Sequence, residues 1–357
     1  MDSCSQFRVA IGETVLKKHR IYLDINYWIF MRDAFLGKAT PTQTQIYERL
    51  KSLVEADVAL CPLSPDIFSE LMKQGNREQR LNSARVMDEL SHQVSFISPT
   101  DIAGQELISF IRLCQEKANG RPLFKPEKYV WTKVRLMMMG DSILYLPGIP
   151  NGPMNSSGTE FIDHLSRFTL VQILETINGD PPAPNFKSLI VRLNQGKDDN
   201  QQWSSFHEVF MHEVAGCLDL MKDDIEKVWV FLYQADPGCV PTPEEVRQSQ
   251  CAKYLSNLVY RAFDQKKIGK ELPFIRVNSG LHAFLRYNKT QRYKENDLFD
   301  FSHAAWALPY CNGFFTEGPL QDWICGKLLK LDELYGTKVL SKEEDVLEYL
   351  NQGLANA

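Results

Sequence analysis

The stretch "RIYLDINYWIFMRDA", residues 20–34, places a carboxylate where a buried strand should end. Ile21, Tyr22 and Leu23 form an apolar run that has no need of Asp24, and Asn26 follows two residues later. Other acids occupy comparable positions. Glu70 lies about two turns into the helix expected after a second strand, "DVALCPLS". Asp300 is expected to begin the helix "FDFSHAAWALPY", with Asp297 three residues before it, and Thr316 and Glu317 end the strand "NGFFTE". In open parallel sheets ligands bind beyond the carboxyl ends of the strands, so these residues can face one cleft. Crowded carboxylates repel one another unless a cation neutralises them. Hard oxygen donors suit Mg²⁺ or Mn²⁺, and such ions activate water and stabilise charge at a phosphodiester. The chemistry to expect is metal-dependent hydrolysis, with Asp24, Glu70 and Asp300 catalytic and Asp24, Glu70, Asp297, Asp300 and Glu317 as the metal ligands.

The elements that must position these acids follow from periodicity. A strand over 20–25 precedes a helix over 27–36. A second helix spans Thr42 to Ala56, with Thr42 as its cap. "SPDIFSELMKQ" opens a further helix with Ser64 as N-cap and Pro65 at its first position. "QVSFIS" is a third strand. From about residue 100 the alternation gives way to helical segments over 101–118, 158–177, 203–234 and 243–267, separated by loops such as "LPGIPNGPMNSSG" and "NGDPPAPN". Strand–helix alternation returns near 295 with "NGFFTE", "TKVLS" and the final helix "KEEDVLEYLNQ". Alternation of this kind implies a parallel sheet covered on both faces. The expected organisation is one α/β domain built from residues 1–99 and 291–357, split by a mainly helical insertion over 100–290.

At this point "IYLDINYW", "LSPDIFSEL" and "NDLFDFSHAAWALPYCNGFFTE" together resemble the PIN-domain ribonucleases. In that family an Asp ends the first strand and a Glu follows the second. An Asp opens a helix of the form D-x-x-h-A-A-x-A, and a Thr-acid pair ends the next strand. The resemblance covers both α/β pieces but not residues 100–290, and it departs from the pattern at His303 and at Glu317, whose role Asp297 or Asp322 could share. It implies a PIN-like three-layer fold with a central parallel sheet and an endoribonuclease activity using Mg²⁺ or Mn²⁺. RNA, single-stranded or structured, is the implied partner, with DNA left open.

Each residue also has a plainer reading. Asp24 could simply cap a helix, Glu70 could be a solvated helix residue, and Asp300 could be an N-cap. His303 could bind phosphate, hydrogen-bond Asp300, or be a structural histidine. Asn26 could orient Asp24 or cap the following helix. Convergence of the whole set favours the acidic site. "RYNKTQRYKEN", residues 286–296, interleaves Arg286, Lys289 and Arg292 with Tyr287 and Tyr293 just before the Asp297/Asp300 helix. Cations hold phosphates and tyrosines stack on bases, so Arg286, Lys289, Arg292 and Tyr293 join Asn26, His303 and Thr316 as substrate-binding candidates; a solvated basic loop is the alternative.

Two other chemistries are weaker. In "FHEVFMHEV" His207 and His212 are five residues apart, which does not put them on one helix face as H-E-x-x-H requires. "LDINYW" resembles the nucleophile motif of haloacid-dehalogenase phosphatases, but Asn26 stands where the second acid is needed. A binding or regulatory module on the same fold that no longer turns over is the remaining alternative.

Composition bounds the rest. Hydrophobic content of 44% and charged content of 24% describe a globular chain, and a net charge of -5 argues against a globally basic nucleic-acid wrapper. No apolar run reaches the roughly 20 residues of a membrane span, and no signal-peptide pattern opens the sequence. The eight cysteines form no CxxC pair, so most are expected reduced and the default location is the cytoplasm. A homodimer or a protein partner could use the insertion.

Overall fold

The computed structural model describes residues 3–119, 125–139, 156–177, 185–199, 202–234, 244 and 250–352. The expected loops over 146–158 and 178–185, and the first residues of the helix expected from 243, lie mostly outside the described residues. Helix α1 (Ser3–Val15) leads into strand β1 (His19–Leu23), then α2 (Ile25–Phe35), α3 (Pro41–Glu55), β2 (Ala59–Leu60), α4 (Pro65–Lys73), α5 (Arg77–Ser91) and β3 (Val94–Phe96). Helix α6 (Pro99–Asn119) precedes β4 (Trp131–Lys133) and α7 (Val134–Met139). The helices α8 (Ser156–Ser166), α9 (Leu170–Thr176), α10 (Lys187–Asp199), α11 (Phe206–Leu220), α12 (Lys222–Gln234), α13 (Cys251–Asp264) and α14 (Pro273–Tyr287) follow. The last part runs α15 (Glu295–Tyr310), β5 (Gly313–Phe315), α16 (Gly318–Ile324), α17 (Leu331–Tyr335), β6 (Lys338–Leu340) and α18 (Glu343–Gln352).

The sheet is parallel, in the order β2-β1-β5-β6. Ile21, Tyr22 and Leu23 pair with Gly313, Phe314 and Phe315 in register, and these three residues of the five in β1 are fully buried. That explains their unbroken apolar run, since a central parallel strand is covered on both faces. Gly313 is required by a close approach: a Cβ there would stand 3.2 Å from the Tyr349 hydroxyl of α18, which lies across the strand. The chain thus belongs to the α/β class, with helices as its main component.

Three expectations need correction. The third strand does not continue the parallel ladder. β3 pairs antiparallel with β4, inside the insertion expected to be mainly helical, and among the described residues it is bridged to the segment after β2 through Leu63 and Ser95. Pro62 explains the break, because it has no N–H to donate and stops β2 after two residues. Helix α3 is capped by Thr40, not Thr42; Pro41 takes the first helical position and Gln43 completes a capping box. Helix α15 begins at Glu295, so Asp300 sits in its second turn. The expected start of α4 is found, with the Ser64 hydroxyl accepting from the Ile67 amide at 3.2 Å.

The buried apolar side chains gather in two cores. The larger contains the parallel sheet with α2 to α5, α15 and α18, and also takes Trp131, Leu170, Ile173, Val277, Leu281 and Leu285 from the stretch between residues 100 and 290. The smaller joins α6, α11, α12, α13 and the start of α14. Helix α14 contributes to both cores and packs along α15, so it ties the helical part to the helix that carries Asp300. Among the described residues no helix is long and apolar enough to cross a membrane.

Phe96 is the hinge of the larger core. It is fully buried and stacks on Trp131 at 4.5 Å and on Trp306 of α15 at 5.3 Å. Phe96→Ala should cost about 3–5 kcal/mol, seen as a lowered urea midpoint. A loss below about 1 kcal/mol would mean that the stack contributes little.

Candidate active site

Two acids, Asp24 and Glu317, stand at the carboxyl ends of the central strands. Asp24 follows β1 directly, and its amide donates to the Phe315 carbonyl at 3.1 Å. Thr316 and Glu317 follow β5, the neighbouring strand. From β1 the chain first adds β2 on one side and later β5 on the other, so the strand order reverses between β1 and β5. Such switch points open the crevices in which parallel sheets bind ligands.

Asp24 is nearly inaccessible, with 4% of its surface exposed. It caps α2, its Oδ1 accepting from the amides of Asn26 at 3.0 Å and Tyr27 at 3.2 Å, and the Thr316 hydroxyl bonds it as well. The plain reading of Asp24 as a helix cap is therefore true, and it coexists with the site. Burial pushes its pKa up to about 6 against the pull of the His303 charge and these hydrogen bonds, and Glu317 adds to the rise. Asp300, in the second turn of α15, lies within electrostatic range of Asp24 and Glu317. Its half-buried carboxylate accepts no hydrogen bond among the described residues, and burial, with repulsion from Asp24, Glu317 and Asp297, carries its pKa to about 7 despite His303. Glu317 is exposed at the mouth, where Asn26 donates its side-chain amide to it. Asn26 thus orients Glu317 with its side chain and Asp24 with its backbone.

Asp297 is buried and accepts from the Lys294 amide at 2.7 Å, closing the first turn of α15. Burial raises its pKa, offset by that amide. It acts on Asp300 through charge.

Glu70 departs from expectation. Its carboxylate is engaged with His303, Oε2 to Nε2 at 2.7 Å, rather than with the Asp24–Asp300 pair. The other imidazole nitrogen meets the Tyr22 hydroxyl at 2.8 Å, which meets the Ser64 hydroxyl at 2.7 Å. Burial alone would lower the pKa of His303, but the hydrogen bond and charge of Glu70, with Asp66 and Asp24 beyond, hold it above its ordinary value. As an imidazolium it donates at both nitrogens, to Glu70 and to Tyr22. It is the cation facing Asp24 and Asp300.

Sequence reasoning missed this supporting network. Asp66, in the first turn of α4, accepts from the Ser302 hydroxyl and from the Trp306 indole at 2.6 Å. Asp66 and Glu70 are four apart on α4, and Ser302 and Trp306 four apart on α15. That matching spacing was the available signal for two helix faces in contact.

The basic loop also differs from expectation. Arg286 is paired with Glu213 on α11 and largely buried. Tyr293 is 3% exposed, its hydroxyl bonded to His282, so it cannot stack on a base as it stands. Arg292 is paired with Asp198 at 2.7 Å. The physical reason is α10: Asn194 exchanges two hydrogen bonds with the Tyr293 backbone, and the Lys197 ammonium collects the carbonyls of Leu285, Asn288 and Gln291. Lys289 remains exposed. A cation not foreseen, Lys73 of α4, sits 3.5 Å over the Phe299 ring, one residue before Asp300.

The donor set is all oxygen and negatively charged, which fits Mg²⁺ or Mn²⁺ in type. As the side chains stand, no group of three or more His, Cys, Asp or Glu among the described residues could hold an ion. Asp24, Asp300 and Glu317 would have to draw together by side-chain rotation.

The raised values have a sign. Both acids bind protons more tightly folded than unfolded, so their contribution to stability is full below about pH 4 and is lost as pH rises toward 6 to 7. Asp300→Asn should therefore stabilise the fold at pH 8 by on the order of 1–3 kcal/mol and leave it unchanged near pH 4. Thermal melts of both proteins at the two pH values check this; equal gains at both would remove the electrostatic explanation.

Compared with models of known families, with characterised proteins and with solved structures, the chain finds no match.

Proposed function

We propose that this protein is a metal-dependent nuclease that hydrolyses phosphodiester bonds, with Asp24, Asp300 and Glu317 receiving Mg²⁺ or Mn²⁺. The observation that carries the reading is the placing of buried Asp24 at the strand switch point within electrostatic range of half-buried Asp300, with their pKa values displaced to about 6 and about 7. Structural acids are normally paired with bases, whereas titratable groups with displaced pKa values in a crevice are typical of functional sites. A divalent cation would supply the charge that lets both acids ionise and would lower the pKa of an attacking water.

The remaining roles fall to the chain's own groups. The amides of Asn26 and Tyr27 and the Thr316 hydroxyl fix Asp24. Asn26 steers Glu317 at the open side. His303 limits the negative charge that an incoming phosphate meets, and Glu70, in place of the direct role expected of it, keeps His303 charged. Lys73 and Lys289 are exposed cations left to meet a phosphate chain. A PIN-like arrangement is consistent with the parallel sheet and the order of acids along the chain, and the choice of RNA rests on the resemblance of the four motifs.

A second reading, a nucleic-acid- or protein-binding module without turnover, is favoured by the absence, among the described residues, of three side chains already set to hold one ion. Cleavage of labelled single-stranded RNA and DNA with Mn²⁺, Mg²⁺ or EDTA separates the two. We expect metal-dependent cleavage of RNA, reduced about 100-fold or more in Asp24→Asn and in Asp300→Asn with the circular dichroism unchanged. Equal trace activity in wild type and both variants would overturn the nuclease reading and leave the binding module.

A further inference from the structure

Away from the carboxylates, a cleft of about 350 Å³ opens between the helical part and the connection from β5 to β6. Phe210 of α11, Phe263 of α13 and Leu328 and Leu334 of the connection line it, and Arg276 of α14 shares the wall. Its size is that of a small-ligand site, and such sites pair an apolar lining with a few polar groups.

Arg276 is the unusual member. Its guanidinium stands over the rings of Phe263 at 5.1 Å and Phe210 at 5.8 Å. One Nη donates to the Ile268 carbonyl at 2.7 Å, while the Nε is buried and has no acceptor. Glu271 and Tyr335 lie within electrostatic range, but the Glu271 carboxylate accepts from the Gly269 amide, and among the described residues Arg276 is in no ion pair. A cation half withdrawn from water without a counter-ion is costly unless an anion completes it. Stacking on two phenylalanines offsets part of that cost. Lys266, exposed at the rim, adds positive charge to the same opening.

We propose that this cleft binds an amphipathic anion: a carboxylate that pairs with Arg276, carrying an apolar chain that lies along Phe210, Phe263 and Leu328. The apolar wall provides affinity in proportion to the chain buried. The guanidinium selects for the carboxylate, because its planar donors match two carboxylate oxygens. The proposal is independent of the nuclease reading.

Isothermal titration of the full chain with decanoate, 1-decanol and decyltrimethylammonium tests it. Decanoate is expected to bind saturably at one site, and the neutral and cationic chains at least about tenfold more weakly. Arg276→Met should bring decanoate down to the level of decanol. Leu328→Trp, at a position 49% exposed and tolerant of bulk, should weaken decanoate by narrowing the mouth, and it keeps the test decisive if Arg276→Met does not fold. No saturable decanoate binding, equal binding of decanoate and decanol, or wild-type decanoate affinity in the folded variants would each overturn the proposal.

Discussion

Asp24, buried, and Asp300, half-buried, each lose solvation within range of the other's charge, and His303 is the cation set against them. This imbalance organises the centre of the molecule. His303 can serve only while it stays protonated, so Glu70 and Tyr22 are bound to its two nitrogens. Those partners must in turn be fixed. Ser64 holds Tyr22 and begins α4, so the residue that starts the helix also positions the strand side chain beneath the imidazole. Asp66, one turn before Glu70, clamps α4 to α15 through Ser302 and Trp306. The site is thus a stack of dependencies running from the sheet through two helices, and Asp300, which accepts no hydrogen bond among the described residues, is its least satisfied member.

Much of this was legible because the relevant signals are local. An apolar triplet ending in Asp24 marks a buried strand and its exit. Ser64 followed by Pro65 fixes the start of α4, since each residue's chemistry suits only that position. Ala304, Ala305 and Ala307 are small enough for α15 to lie against the sheet, and all three are buried. The order of acids along the chain then placed Asp24, Asp300, Thr316 and Glu317 on one side of the sheet.

What stayed hidden was partner choice across long distances. Glu70 and Asp24 both read as ligands, yet only contact between α4 and α15 assigns Glu70 to His303. The cations of the 286–296 loop looked free because their acids, Glu213 and Asp198, lie far upstream with no pattern linking them. The start of α15 was misplaced because Lys294 is not a usual cap; Asp297 does the work from the third helical position by reaching back to the Lys294 amide. β4 escaped notice because three residues are too few to show a period of two, and its antiparallel partner β3 had been read as the next rung of a parallel sheet.

The pairing of β1 with β5 has a kinetic consequence. Ile21 must find Gly313, and nearly all of the helical part is synthesised between them. During that interval β2 can cover one edge of β1, but the other edge, carrying fully apolar residues, has no native partner. Non-local pairings of this kind fold slowly and leave a strand edge open to other chains. Asp300 and Glu317 come within range of Asp24 only when α15 and β5 dock beside β1. Their repulsion therefore opposes that docking, which should be sensitive to pH.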